Sequence, residues 1–76
     1  MNRIRRKQLS ELMDRLEELK SDLEAPKEEE EEYRDNMPEN MQGSERYERA
    51  DEACDSLDSA VSSIEDALSY IEEATE

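Results

Sequence analysis

The chain has 76 residues, of which 24 are Asp or Glu and 10 are Lys or Arg, so its formal net charge is −14. A chain of this length forms one domain at most, and a single core of that size is marginal without disulfides, metals or association. The charge predicts repulsion from nucleic acid and from anionic membranes. We therefore expect no direct binding to either, and any charge-driven partner is a protein with a basic surface.

The N-terminal stretch MNRIRRKQ is basic, but no apolar segment follows it, so it does not read as a secretory signal. No run approaches the roughly 20 apolar residues of a membrane span. Cys54 is the single cysteine and cannot form an internal disulfide, which fits a reducing cytoplasm and a small buried side chain. A reactive thiol is not expected, because the chain has no His and Asp51, Asp55 and Asp58 are close in sequence. The predicted location is cytoplasmic.

Leucines spaced by three and four residues predict a first helix over residues 3–35. They are Leu9, Leu12, Leu16, Leu19 and Leu23. The same rhythm continues onto Pro26, Glu30, Tyr33 and Met37. Pro26 removes one backbone hydrogen bond and clashes with the carbonyl group of Asp22, at a cost of about 3 kcal/mol in a helix interior. Either the helix stops near Glu24 or it bends and continues; continuation matches the length of the second helix, so we predict a kink at Pro26.

The segment NMPENMQG, residues 36–43, holds the densest turn signals and is predicted to be the turn. Met37 and Met41 flank Pro38 there, and they either contact a partner or close the end of the core. Gly43 is read as a helix breaker and Ser44 as the N-cap of the next helix. A connection this short makes the two helices antiparallel.

A second helix is predicted over residues 44–74. Its seam is an unbroken heptad pattern formed by Tyr47, Ala50, Cys54, Leu57, Val61, Ile64, Leu68 and Ile71. The high charge and few aromatic residues resemble a disordered chain, but disorder gives no reason for such register. The predicted fold class is therefore all-α, an antiparallel two-helix coiled-coil hairpin.

Folding the chain about position 40 pairs residues whose numbers sum to roughly 80, which places Leu9 opposite Ile71 and Leu16 opposite Ile64. This register also predicts two sets of exposed ion pairs. One set joins Arg3, Arg5, Arg6 and Lys7 to Glu72, Glu73 and Glu76, and the other joins Arg46 and Arg49 to Glu31 and Glu32. Such pairs are worth about 0–1 kcal/mol each, so they select register more than they stabilise.

A row of alanines recurs at intervals of seven residues, one position before each a position of the heptad, and consists of Ala53, Ala60, Ala67 and Ala74. Alanine is a good helix former and can occupy a flank for that reason alone. Four in register instead favour a third packing surface, because a two-helix hairpin needs only the narrow seam. We predict that this stripe packs on a second copy in a dimeric four-helix bundle. Tyr70 lies off the seam and either anchors an interface or covers the outer edge of the stripe.

The chain has no His, no Gly-rich phosphate loop and no Cys/His cluster. Acid–base catalysis by carboxylate pairs requires a cleft that separates their pKa values, and a rod of helices offers none. The run from Glu28 to Glu32 lacks the alternating ligands and the Gly of a calcium loop. We therefore expect no enzyme activity, no cofactor and no metal.

Two functions fit these features. The first is an acidic decoy that occupies a basic, nucleic-acid-binding surface on another protein: a side-by-side dimer would carry about one charge per 1.8 Å, close to about one per 1.7 Å for duplex DNA. Its predicted partner-binding residues are Glu28, Glu29, Glu31, Glu32 and Asp35. The alternative is a structural oligomerisation or assembly module whose charge only maintains solubility.

The segment EEEEEYRDNMPENMQGSERYE, joined to LDSAVSSIEDALSYIEEA, resembles small acidic helical proteins encoded by phages and prophage-like elements of gut Firmicutes. The similarity covers nearly the whole chain, and DNMPENMQGSERYE is its most specific part. Pro26 departs from the resemblance, where a continuous helix former is usual. The resemblance implies no activity for individual residues. It implies a context, because small acidic phage proteins often block host enzymes such as restriction and CRISPR effectors, and the host bacterial cytoplasm is then the expected location.

Overall fold

Two long antiparallel helices make up the structure. The computed structural model describes residues 1–76. Helix α1 spans Arg3–Asp35, a single 3₁₀ turn spans Glu39–Met41, and helix α2 spans Glu45–Thr75. The helices pack along each other in an elongated body of 59 × 16 × 13 Å that contains no strand. The all-α helical hairpin predicted from the sequence is confirmed.

Each helix begins at a side-chain cap. The Asn2 side-chain oxygen accepts a hydrogen bond from the Arg5 amide at 2.8 Å, and the Ser44 hydroxyl oxygen accepts one from the Tyr47 amide at 3.2 Å. Each cap satisfies an amide that has no partner within its own first turn. Ser44 is therefore the N-cap predicted from the sequence, whereas the Asn2 cap was not predicted.

Backbone hydrogen bonds and one buried methionine hold the turn. The Met41 amide donates to the Pro38 carbonyl at 2.8 Å, and the Ser44 amide donates to the Met41 carbonyl at 3.0 Å. Met37 is buried and Met41 is half-buried, so the two methionines close this end of the core. Gly43 does not have a positive φ, and a Cβ atom there would meet nothing within 4 Å. The turn therefore does not require the conformational freedom of glycine at this position.

Helix α1 runs through Pro26 without interruption. Proline has no amide hydrogen to donate to the Asp22 carbonyl, and its ring crowds that same carbonyl. The turns on either side of it are fixed by contacts with α2: Leu23 is half-buried, and Lys27 reaches Asp58 across the interface at 2.7 Å. Contacts between the helices thus compensate for the local defect. The kink at Pro26 stays a prediction.

The core between the two helices is thin. Four of the 76 residues are buried, namely Met37, Ala50, Cys54 and Leu68. The other residues of the interface are only half-buried, because each helix has a neighbour on one side alone. A single copy therefore removes little apolar surface from water, which is the situation expected for so short a chain.

Replacing Pro26 with Ala is expected to stabilise the hairpin. Alanine restores the hydrogen bond to the Asp22 carbonyl and removes the clash, for an expected gain of about 1–3 kcal/mol in the free energy of unfolding. Urea unfolding followed by far-ultraviolet circular dichroism measures the change. The matched control is Pro38→Ala, which removes a proline outside both helices and restores no helical hydrogen bond. A Pro26→Ala variant no more stable than the wild type would contradict an uninterrupted α1.

Candidate functional site

Three ion pairs join the two helices along one face of the hairpin. Their N···O distances are 3.8 Å for Lys20–Glu65, 2.7 Å for Lys27–Asp58 and 3.0 Å for Arg34–Asp51. The cations recur every seven residues along α1, and their carboxylate partners recur every seven residues along α2 in the opposite direction. We call these three pairs the ion-pair ladder. Seven residues make about two helical turns, so the three pairs lie on the same side of each helix.

Two of the ladder cations are each held by two carboxylates. Lys27 also lies 3.8 Å from Glu31, and the Arg34 Nε–H donates to Asp35 at 3.0 Å. The hydrogen bond to Asp58 raises the pKa of Lys27, and the hydrogen bond to Asp35 raises the pKa of Arg34, while burial opposes both shifts. Their side chains are 27% and 23% exposed, so the aliphatic stems lie in the interface and the charged ends reach water.

The ladder sets a register different from the predicted one. The residue numbers of each ladder pair sum to 85 rather than 80. Extended along the helices, this register brings Leu16 beside Leu68, and Leu9 level with Glu76, the last residue described. Residues 1–8 therefore project beyond the end of α2 as an overhang, and all of them are exposed. The predicted pairing of Leu16 with Ile64 is wrong, because it assumed that the chain folds symmetrically about position 40, whereas the ladder shifts the sum of paired residue numbers by five.

Both predicted sets of ion pairs are also wrong. The four basic residues of the overhang contact no carboxylate, because they lie beyond the acidic end of α2 that was predicted to pair with them. Arg49 binds Glu45 on its own helix at 2.6 Å instead of reaching α1. Arg46 forms no ion pair. The cations that do join the helices are those of the ladder.

Helix α1 is also rotated about its axis relative to the prediction. The residues that alternate with Leu9, Leu16 and Leu23 along the interface are Met13, Lys20, Lys27 and Arg34. Leu12, Leu19 and Tyr33, predicted to lie in the seam, are 43%, 55% and 47% exposed. The long aliphatic stems of the cations fill the interface in their place, and the charged ends give the carboxylates of α2 a partner that leucine cannot provide.

The exposed leucines share a face with the alanine row. The central positions of α1 in the interface are Leu9, Leu16, Leu23 and Glu30. The ladder cations follow these positions by four residues, whereas Leu12 and Leu19 follow them by three and lie on the opposite flank. The central positions of α2 are Tyr47, Cys54, Val61 and Leu68. The ladder carboxylates follow these positions by four residues, and the alanines lie one residue before such positions, again on the opposite flank. A shallow groove of ≈ 270 Å³ on this side is lined by Leu12, Arg15, Leu16, Leu19 and Ile71.

We call this surface the apolar face, and it consists of Leu12, Leu19, Pro26, Tyr33 and Ile71 with the row Ala53, Ala60, Ala67 and Ala74. Three of the alanines are half-buried and Ala74 is exposed. Tyr70 is 71% exposed beyond the outer edge of the row. The sequence located the alanines of this face but not its leucines. That this face forms a dimer stays a prediction.

The structure divides the predicted acidic cluster into two groups. Glu31 and Asp35 contact the ladder cations of their own helix. Glu28, Glu29 and Glu32 are exposed and contact no cation. Only the second group presents unneutralised charge to a partner.

Cys54 is buried in the interface, with 2% of its surface exposed. Burial raises the pKa of the thiol; Glu31, Glu30 and Asp51 raise it further, and Arg34 opposes them. The thiol is therefore held in its neutral form, in which it packs as a small apolar side chain.

The remaining surface is plain. The structure brings no three Cys, Asp or Glu side chains together in a geometry suited to a metal ion. Neither helix contains an apolar stretch long enough to span a membrane. The ladder, the apolar face and the free carboxylates are thus the three features from which a function is inferred.

Comparisons with protein-family models, with curated proteins and with solved structures found no match to this chain. The resemblance to small acidic phage proteins therefore stays a hypothesis.

Exchanging the charges of one ladder pair tests the register. Lys27→Glu places a carboxylate against Asp58, so we expect a lower melting temperature than that of the wild type. Adding Asp58→Lys restores an opposite pair and is expected to recover most of the loss, because the coupling is specific to residues in contact. The matched control is Lys27→Glu with Asp66→Lys, which has the same composition but places the new lysine on the outer face of α2. Equal melting temperatures for the two double variants would contradict the ladder.

Proposed function

We propose that this protein is a non-enzymatic, homodimeric binding protein whose acidic surface occupies a basic, nucleic-acid-binding surface on another protein. The observation that supports this is the uneven distribution of charge along the hairpin. The loop half, residues 21–63, has 15 acidic and four basic residues, a net charge of −11. The open half, residues 1–20 and 64–76, has nine acidic and six basic residues, a net charge of −3. The negative charge is thus concentrated toward the turn.

Most carboxylates of the loop half are free to act on a partner. Five of the 15 lie within 4.0 Å of a cation, namely Glu31, Glu45, Asp35, Asp51 and Asp58. The other ten have no such contact. Of the four cations in this half, only Arg46 is without a carboxylate partner. The internal ion pairs therefore leave the acidic character of the surface in place.

The density of charge supports a comparison with duplex DNA. A charge of −14 over 59 Å is about one per 4.2 Å, and two hairpins side by side reach about one per 2.1 Å. Duplex DNA has about one charge per 1.7 Å of axis. Carboxylates one helical turn apart stand roughly 6 Å apart, a separation on the scale of successive phosphates along a strand. The resemblance to phage proteins suggests a host defence or DNA-processing protein as the target.

Neutralising the free carboxylates of the loop half tests the decoy. Immobilised wild-type protein is expected to capture a nucleic-acid-binding protein from bacterial lysate at low salt, to release it at high salt, and to lose it to competing duplex DNA. Glu28→Gln with Glu32→Gln is expected to weaken that capture, because both side chains are exposed and unpaired.

The matched control is Asp14→Asn with Glu18→Gln. These positions have the same spacing and the same places relative to the interface, and they lie in the open half. Capture that DNA does not displace, or an equal loss in the two variants, would count against the decoy.

A second candidate is an assembly module without inhibitory action, and the apolar face favours it. Leu12 and Leu19 are 43% and 55% exposed beside a row of alanines. Aligned exposed leucines are unusual on the surface of so acidic a chain. They are expected where another pair of helices covers them. Self-association is common to both candidates. Retention of no protein but the chain itself in the lysate experiment would favour the assembly module.

Light scattering at tens of micromolar is expected to give the mass of a dimer. Leu12→Ser with Leu19→Ser is expected to weaken association by at least about tenfold, because leucines covered in the dimer lose their transfer free energy. Ile4→Ser serves as the control, since Ile4 is also exposed but lies on the overhang. Circular dichroism checks that all variants stay helical. A strictly monomeric mass for the wild type would remove the self-association proposal.

A further inference from the structure

We propose that two copies pack through their apolar faces in antiparallel orientation, so that the open half of each copy lies on the loop half of the other. This inference rests on the self-association proposed above. It specifies the surface through which the copies pack, their relative orientation and a pair of residues that joins them. Three independent features of the hairpin support it: the position of its apolar rows, the charges beside them and the charge of its two halves.

The two rows of the apolar face are centred at the same level. On α1 the exposed row is Leu12, Leu19, Pro26 and Tyr33, evenly spaced about a point between residues 22 and 23. On α2 the alanine row is evenly spaced about a point between residues 63 and 64. In the ladder register, where paired numbers sum to 85, these centres lie within about one residue, or about 1.5 Å, of each other.

A two-fold axis that passes at the level of this common centre, lies in the plane of contact and runs perpendicular to the helices therefore lays each row on the same row of the other copy in reverse order. It brings Leu12 of one copy opposite Tyr33 of the other and Leu19 opposite Pro26, and it lays both alanine rows across the same contact. A closed two-fold contact uses the same patch on both copies, so the patch must be complementary to itself. The alanine methyl groups let the second pair of helices approach closely, as in the core of a four-helix bundle.

Two free charges beside the apolar row fit the same axis. Arg15 and Glu29 each lie one residue before a central position of α1, on the flank of the apolar face. Neither contacts an opposite charge in the single hairpin. They are symmetric about residue 22, so the antiparallel arrangement places Arg15 of each copy beside Glu29 of the other. Asp22, which has the equivalent position midway between them, then lies near the axis beside its own equivalent, so two pairs of opposite charge accompany one contact of like charge. A parallel two-fold arrangement instead lays α1 of each copy on α2 of the other, so it does not bring Arg15 and Glu29 together.

The charge of the two halves selects the same direction. In a parallel pair, the −11 loop halves face each other and the −3 open halves face each other; in an antiparallel pair, −11 faces −3 twice. The summed product of facing charges is then roughly halved. Only facing halves matter, because the screening length of about 8 Å at physiological salt is short against half the 59 Å hairpin. The basic overhang of each copy is also directed toward the acidic loop half of the other.

Distances between spin labels on the two copies test the orientation. Asn40→Cys, in a Cys54→Ala background, places one label at each turn. The antiparallel arrangement separates the turns by about 50 Å, given the 59 Å length of each hairpin, whereas a parallel pair keeps them within about 30 Å. Ser21→Cys, near the common centre, is the control and gives a distance of at most about 30 Å in either arrangement.

Each outcome separates this inference from the proposal on which it rests. A monomeric mass with no intermolecular distance overturns both. A dimeric mass with close turn labels overturns the antiparallel orientation and leaves self-association standing. A dimeric mass with distant turn labels and close central labels is the expected result.

A charge exchange provides a second readout that does not need labels. Arg15→Glu and Glu29→Arg are each expected to weaken the dimer, measured by light scattering on dilution, because each puts like charges together across the contact. The double variant is expected to recover the affinity of the wild type. Failure of the double variant to associate better than either single variant would overturn the proposed pairing.

Discussion

The arrangement of this hairpin depends on the three ion pairs between its helices. Lys20, Lys27 and Arg34 meet carboxylates that recur with the same period along α2. Exposed ion pairs add little free energy, of the order of 0–1 kcal/mol each. Their effect here is geometric: they fix which residues are level and which side of α1 faces α2. The exposure of Leu12 and Leu19, the overhang at the N-terminus and the alignment of the apolar rows all follow from that choice.

The sequence was informative where one signal acted alone. The seam of α2 is unbroken over eight positions, and Ser44 is a strong capping residue, so the second helix and its start were predicted correctly. The turn followed from Pro38 and its neighbours. Fold class was therefore accessible from spacing and breakers, because apolar periodicity and helix capping are local properties of a chain.

The sequence was less informative where two signals competed. On α1, Leu12 and Leu19 offer one seam, and Lys20 and Lys27 offer another, rotated toward the neighbouring flank. Leucine burial favours the first, but only the second supplies cations to α2, which has none in its last 26 residues. The seven-residue spacing of cations on α1 against carboxylates on α2 was visible in the sequence and would have indicated which cations join the helices. The surfaces proposed for association depend on that register, so the leucines of the apolar face were missed while its alanines were found.

The two broad faces of the hairpin thus differ in how their side chains are covered. One is closed by charge within the copy, and the other keeps apolar side chains that a single copy cannot cover. With the proposed self-association, this division accounts for the methyl groups that so acidic a chain retains in register.

The turn has a consequence of a different kind. Gly43 adopts no special backbone conformation, and the space around it is empty. Helix register is fixed by ion pairs between the helices rather than by the backbone at Gly43, and doubling the length of a flexible connection costs only about 0.6 kcal/mol. The hairpin is therefore built to tolerate inserted segments there, and a peptide or a whole domain grafted at the tip should leave the two helices undisturbed.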